Sequence, residues 1–126
     1  MVYDLGASTG NIGNALKSIL KERNCTFVGL EKSKEMFDLY NCDYGQVVNE
    51  DIKEYNYKQY DLCIAFLTLM FVEPKYRIDL LDQLYNKLNI GGAIIIFDKI
   101  ESIGGYIVTI NYRLTLAEKV KSTDYN

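Results

Sequence analysis

Short apolar runs alternate with segments of helical periodicity along most of this chain. The runs predict strands at residues 1–5, 25–30, 45–49, 61–69 and 93–97. Apolar residues at helical spacing predict helices at residues 11–23 and 74–90, the second beginning at Pro74 and ending at Gly91-Gly92. Ser33 is placed to cap a short helix through Tyr40. The tyrosine-rich stretch at residues 55–60, in contrast, predicts a polar connector.

This alternation predicts the fold class. Strands followed by helices indicate an α/β domain with a doubly wound, Rossmann-like parallel sheet of about five strands and helices on both faces. We expect one domain over residues 1–126, with the fourth and fifth strands buried. Residues 106–110 fit either a strand or a helix, and the apolar spacing after Ser102 favours the helix.

Composition narrows the possible chemistry. The 126-residue chain has 14 basic and 17 acidic residues, so direct contact with nucleic acid is not favoured. It contains no histidine, which excludes serine–histidine and cysteine–histidine hydrolases. Cys25, Cys42 and Cys63 form no CxxC pair and predict no metal site; we expect reduced thiols that fill buried space in a cytoplasmic protein. No apolar run reaches the roughly 20 residues of a membrane span.

The first predicted strand leads into a turn of small residues, Gly6 to Gly10. Such a turn lets a ligand approach the backbone at a helix N-terminus. Glu31 ends the second strand, where a carboxylate binds both hydroxyls of an adenosine ribose in nucleotide-binding folds. The turn also matches the GxSxG nucleophile elbow, which lacks its histidine here, and a loose dinucleotide pattern, in which Ser8 replaces a glycine.

These residues resemble those of a known family. Residues 2–10 (VYDLGASTG) resemble the first motif of class I S-adenosylmethionine (SAM)-dependent methyltransferases, residues 29–33 with Met36 resemble the second, and residues 49–52 resemble the third. Residues 67–74 (LTLMFVEP), 80–82 and 88–93 are similar, more narrowly, to the carboxy-S-adenosylmethionine synthase family. That family makes a carboxylated SAM from prephenate for tRNA wobble-uridine modification.

The resemblance implies a cofactor site for SAM, S-adenosylhomocysteine (SAH) or carboxy-SAM. Its implied residues are Asp4, Gly6, Ala7, Ser8, Gly10, Glu31, Lys32, Met36, Asp51, Ile52, Phe66 and Leu67. The first turn would hold the methionine moiety, Glu31 and Lys32 the ribose, and Asp51 and Ile52 the adenine. Phe66 departs from the synthase pattern, which has asparagine there, and Lys32 is equally consistent with a solvated surface residue.

The resemblance also bears on function and partners. It implies a SAM-binding transferase, with no catalytic residue assigned; the alternative is a reduced, non-catalytic module that binds the cofactor or assembles with proteins. Tyr112 and Arg113 are candidates for a carboxylate clamp, although a solvated helix face explains them as well. Because family members continue beyond the fifth strand, we expect its edge to be covered by a second copy or by exchange of the C-terminal segment, giving a homo-oligomer.

Overall fold

Five parallel strands form the central sheet. The computed structural model describes residues 1–99 and 110–117. The strands are β1 (Val2–Leu5), β2 (Phe27–Leu30), β3 (Gln46–Val48), β4 (Tyr60–Phe66) and β5 (Leu88–Phe97). They lie in the order β3-β2-β1-β4-β5, and each neighbouring pair is parallel. The predicted α/β fold is therefore confirmed.

Helices cover both faces of the sheet. They are α1 (Asn11–Glu22), α2 (Lys34–Asp38) and α3 (Pro74–Lys87), with a 3₁₀ turn at Leu69–Phe71. Val2 and Tyr3 are consecutive in β1 and point to opposite faces. Leu20 of α1 packs in the cluster that contains Val2, and Leu84 of α3 packs in the cluster that contains Tyr3. Among the described residues, no helix has the length and apolar character needed to cross a membrane.

The starts of α2 and α3 were predicted correctly, whereas α2 ends at Asp38 and not at Tyr40. The Ser33 side chain accepts a hydrogen bond from the Met36 backbone N–H at 3.4 Å, as expected of an N-cap. Pro74 begins α3, where its missing N–H costs nothing. Residues 110–117 are helical, as the spacing after Ser102 favours, and the rest of that predicted helix lies outside the described residues.

The strand order reverses at β1. The chain builds β1, β2 and β3 in one direction and then returns to place β4 on the other side of β1. Loops that follow β1 and β4 therefore diverge to opposite faces and leave a crevice at the carboxyl ends of these two strands. Ligands of open α/β sheets bind in this kind of crevice, so the functional site is expected there.

The tyrosine-rich stretch is part of the core, which corrects the prediction of a polar connector. Tyr57 and Tyr60 are almost completely buried. Each packs edge-to-face against Tyr3, with ring centroids 5.3 and 5.4 Å apart. Their hydroxyls donate to the carbonyls of Ile52 and Leu84, both at 2.7 Å. Because backbone carbonyls satisfy both phenols, these tyrosines tolerate burial, which polarity along the sequence does not reveal.

The boundary between α3 and β5 also differs from the prediction. The helix ends at Lys87, before the two glycines, and Gly91 and Gly92 lie within β5. The register with β4 shifts at this point, from Tyr60 opposite Leu88 to Leu62 opposite Ala93. Gly91 has a φ of 83°, and a Cβ on Gly92 would lie 2.6 Å from the Asp61 carbonyl oxygen. The glycines therefore form an irregularity within the strand instead of a helix terminus.

The fifth strand is not buried, contrary to the prediction. Within the described part of the chain, β5 is at the edge of the sheet, and Ile95, Ile96 and Phe97 are about half exposed. Its apolar sequence resembles that of a central strand, so its position cannot be read from composition. The fourth strand is only partly buried, with Asp61 and Phe66 exposed, and it ends at Phe66 instead of residue 69; the next residue, Leu67, has a φ of 52°. Cys63 is buried, whereas Cys25 and Cys42 are only partly so.

Candidate functional site

A cavity of about 880 Å³ opens at the carboxyl ends of the strands. Its walls come from the segments that follow β1, β2, β3 and β4. This size lies near the upper end of the roughly 300–1,000 Å³ typical of small-molecule sites. The cavity coincides with the crevice at the point where the strand order reverses.

The turn after β1 forms one wall and leaves no space for a side chain at its first residue. Gly6 has a φ of 70°, and a Cβ there would lie 2.7 Å from the Thr68 hydroxyl oxygen. That hydroxyl donates to the Leu5 carbonyl at 2.7 Å, which fixes the segment after β4 against the turn. Ser8 also has a positive φ, of 49°, a conformation that glycine adopts more easily. The turn therefore keeps the shape that the sequence predicts although Ser8 replaces a glycine.

The Glu31 carboxylate lies between two turns. Its Oε2 accepts the Ser8 backbone N–H at 2.8 Å, and its Oε1 accepts the Ser33 backbone N–H at 2.7 Å. The Asn49 side chain donates to the Glu31 carbonyl at 2.8 Å, so the turns after β1, β2 and β3 meet at this residue. In general, each oxygen of a carboxylate can accept more than one hydrogen bond. Glu31 therefore retains the capacity to bind two hydroxyls of a ligand while its orientation is fixed.

The turn after β3 carries an ionic cluster. The Asp51 carboxylate forms an ion pair with Lys32 Nζ at 2.8 Å and accepts the Lys53 backbone N–H at 3.0 Å. Partial burial raises the pKa of Asp51, but the hydrogen bond from Lys32 and the interaction with Lys53 outweigh it and leave the pKa below its ordinary value. The same hydrogen bond raises the pKa of Lys32. Lys32 therefore has a defined anionic partner, although its side chain is largely exposed to solvent.

Aromatic side chains line the segment after β4. Phe66 and Phe97 stack with ring centroids 5.0 Å apart and an interplanar angle of 11°. Phe66 and Phe71 line the cavity, and both are exposed. The Leu67 N–H donates to the Phe97 carbonyl at 2.7 Å, which holds the residue with positive φ against β5. This side of the cavity is therefore apolar, in contrast to the Asp51 side.

The family model described as "Methyltransferase domain" matches residues 3–96. This match covers most of the chain and all five strands. The chain belongs to the methyltransferase domain family. Its Rossmann-like sheet and the cavity at the carboxyl ends of β1 and β4 are thus features of a methyltransferase domain.

Two curated relatives of this methyltransferase domain have the same name. The chain is 35% identical over 109 residues to the carboxy-S-adenosyl-L-methionine synthase of Helicobacter hepaticus. It is 31% identical over 103 residues to the enzyme of that name from Staphylococcus epidermidis. The alignments cover 81% and 79% of this chain but 45% of each relative. The chain thus spans somewhat less than half the length of the curated relatives it matches.

Solved structures show the same architecture. The plantazolicin methyltransferase BpumL in complex with SAH is 25% identical, with a TM-score of 0.63 over 77% of this chain and 38% of that one. The DhpI–SAM–HEP complex has a TM-score of 0.67 over 81% of this chain and 48% of that one, at 17% identity. The second comparison shows the fold alone.

Most of the residues predicted to bind a cofactor in this methyltransferase domain lie together. Nine of them line the cavity: Gly6, Ser8, Glu31, Lys32, Met36, Asp51, Ile52, Phe66 and Leu67. Ala7 and Gly10 do not; both are buried, and the Gly10 N–H donates to the Ala7 carbonyl at 2.9 Å. These two residues stabilise the turn on the side that faces away from the cavity.

Asp4 lies in β1 and does not line the cavity either. It is 1% exposed, and neither carboxylate oxygen has a hydrogen-bond partner within residues 1–99 and 110–117. Burial, with a smaller contribution from the negative charge of Glu31, raises the pKa of Asp4 from 3.8 to about 7. The carboxyl group is therefore poised between its neutral and charged forms at neutral pH.

The structure does not bring the candidate carboxylate clamp to the cavity. Tyr112 and Arg113 lie in the helical segment of residues 110–117, and both are exposed. The Tyr112 hydroxyl accepts a hydrogen bond from Lys99 Nζ at 2.8 Å, close to the end of β5. Neither residue is among those that line the cavity.

Sequence reasoning missed several lining residues: Leu30, Ser33, Lys53, Thr68, Phe71, Val72 and Glu73. The last four lie within residues 67–74, the stretch that carries the narrower resemblance, so a signal for the segment was present. The contacts of individual side chains were not predictable, because they depend on how the segment after β4 folds back over the turn at Gly6.

Proposed function

We propose that this chain is a SAM-binding transferase domain of the class I methyltransferase type. The observation that carries the proposal is the Glu31 carboxylate, held by two backbone N–H groups at the edge of a cavity large enough for an adenosyl ligand. Family membership and structural neighbours that bind SAM or SAH support it. A dinucleotide oxidoreductase receives no comparable support.

The cavity walls suit the parts of an adenosyl ligand. Glu31 would accept the two ribose hydroxyls, and Ile52 with Asp51 would contact the adenine. The turn at Gly6 and Ser8 would lie against the methionine moiety, because both residues line the cavity. When bound, SAM supplies an activated methyl group on a sulfonium. The chain would orient the ligand and exclude water with its apolar wall, work that needs no histidine.

A second candidate function is the reaction of the curated relatives, formation of carboxy-SAM. The identity of 31–35% over four fifths of this chain favours it. If the chain has this second function, we propose that its product is used in tRNA modification and that the protein is cytoplasmic.

Thermal unfolding with SAM, SAH and NAD tests the adenosyl site. A ligand at 100 times its dissociation constant adds about 2.7 kcal/mol to the free energy of unfolding, or on the order of 10 °C in Tm for a domain of this size. We expect such a shift with SAM and SAH and a smaller one with NAD, which has the adenosine but no methionine moiety. The absence of a shift at millimolar SAH would contradict the proposed function.

We also propose a homodimer formed through the edge of β5, which no strand covers within residues 1–99 and 110–117. Exposed apolar strand edges pair readily with a second chain, and Ile95 and Ile96 are both about half exposed. Sedimentation equilibrium is expected to give twice the 14.5 kDa of one chain, and Ile95→Lys is expected to give a monomer. Ile78→Lys, at an exposed position on α3, is the matched control. A wild-type protein that sediments as a monomer at high concentration would contradict the proposal.

A further inference from the structure

The aromatic stack lies on a different side of the cavity from the groups proposed to hold the adenosine. Glu31 and Asp51 follow β2 and β3, which lie on one side of β1 in the sheet. Phe66 ends β4 and Phe97 ends β5, on the other side of β1. A cavity of about 880 Å³ that extends over both sides has room for a second ligand beside the first.

The stack is fixed in place by backbone contacts. Phe66 and Phe97 are opposite each other in the β4–β5 register. The next residue, Leu67, donates its N–H to the Phe97 carbonyl at 2.7 Å. The Thr68 hydroxyl then donates to the Leu5 carbonyl at 2.7 Å and anchors the segment on β1. Phe66 nevertheless remains 45% exposed and lines the cavity, so a rigid ring faces space that a ligand could fill.

The polar groups on this side do not favour an anionic ligand. The Asp98 carboxylate accepts the backbone N–H groups of Met70 and Lys99 at 2.9 and 2.8 Å. Glu73, which also lines the cavity, adds negative charge and pairs with Lys75 at 3.1 Å. The cavity-lining lysines Lys32 and Lys53 both pair with Asp51, and Lys53 Nζ also lies 4.5 Å from the centre of the Tyr76 ring in α3.

We propose that the second ligand of this cavity, the co-substrate, is an uncharged planar ring that stacks on Phe66. A planar ring matches the geometry of the existing stack, and offset-stacked aromatic pairs are favourable beyond the area they bury. The proposal rests on the proposed function, because it assigns the adenosyl ligand to the Glu31 side. It distinguishes the two candidate functions, since a carboxylate-bearing co-substrate would meet the negative charge of Glu73, which lines the same cavity as Phe66.

Three matched probes test the proposal. 2-Naphthol is a planar, neutral ring at pH 7; 2-naphthoate has the same ring with a carboxylate, and decahydro-2-naphthol is its saturated counterpart. Each is titrated into the full chain labelled with 13C-phenylalanine, with and without saturating SAH, and followed by NMR chemical shifts. We expect 2-naphthol to bind at least about fivefold more tightly than either control probe and to shift the Phe66 and Phe97 signals.

Variants of the stack provide the second readout. Phe66→Leu and Phe97→Leu are expected to remove the preference for 2-naphthol, whereas Phe66→Tyr, which keeps the ring, retains it. Tyr85→Leu, at an exposed aromatic position on α3, is the control. Equal affinity for the three probes, tighter binding of 2-naphthoate, or an unchanged preference in folded Phe97→Leu would overturn the inference. Failure of SAH itself to bind would instead overturn the proposed function, and the titrations without SAH would still decide the inference.

Discussion

Replacement of Asp4 by asparagine is expected to abolish most of the pH dependence of stability between pH 5 and pH 8. In the folded protein, burial raises the pKa of Asp4 from 3.8 to about 7, with Glu31 as the second cause. A raised acid pKa means that stability is fully present below about pH 4 and is lost as the pH rises through about 7. At 1.36 kcal/mol per pKa unit, the total loss is about 4 kcal/mol, of which more than half falls between pH 5 and pH 8.

Urea denaturation at four pH values across this range measures the effect. The wild-type free energy of unfolding is expected to fall by about 2 to 3 kcal/mol, and that of Asp4→Asn to remain nearly constant. The chain contains no histidine, so histidine titration does not obscure this window. Asp43→Asn is the control, because a hydrogen bond from Lys17 lowers the pKa of this exposed carboxyl and it titrates below the window. Parallel pH profiles for wild type and Asp4→Asn would show that Asp4 is not the titrating group.

The parts of the fold that were predicted correctly depend on local signals. The cap at Ser33, the proline at the start of α3 and the small residues after β1 act within one turn of the chain. The strand–helix alternation then leaves few topologies, since parallel strands need right-handed crossovers. The ends of β4 and β5 were predicted less well, because burial there depends on strand order and on the positive φ of Leu67.

The residues of the candidate site also differ in how far they could be predicted from the sequence. Glu31 and the turn at Gly6 were predictable, since each follows a strand and the carboxyl ends of parallel strands meet at one edge. The stack of Phe66 on Phe97 was not, because it joins residues 31 positions apart through the β4–β5 register. The raised pKa of Asp4 was not predictable either, since it depends on burial in the folded sheet and on the nearby charge of Glu31.

Glu31→Ala is expected to weaken SAH binding at least about 100-fold. The proposed role of Glu31 is to accept both ribose hydroxyls, and a hydrogen bond to a charged group contributes about 1.5–3 kcal/mol. Two such bonds correspond to at least about 3 kcal/mol, or more than a factor of 100 in the dissociation constant. Calorimetric titration of SAH measures it. The substitution also leaves the Ser8 and Ser33 N–H groups without their present acceptor, so we expect a stability loss of about 2 kcal/mol or more.

Because Glu31→Ala is expected to weaken both SAH binding and folding, a second substitution is needed to separate the two effects. Glu31→Gln keeps the side-chain volume and one acceptor oxygen, so it should unfold at a higher temperature than Glu31→Ala yet still bind SAH at least tenfold more weakly than wild type. Glu35→Ala removes an exposed carboxylate from α2 nearby and is the control. If Glu31→Gln is folded and binds SAH with wild-type affinity, Glu31 only fastens the two turns together and the ribose must be held elsewhere. If affinity falls while the circular dichroism spectrum is unchanged, the carboxylate has both roles, and its fixed orientation is what prepares it for the ligand.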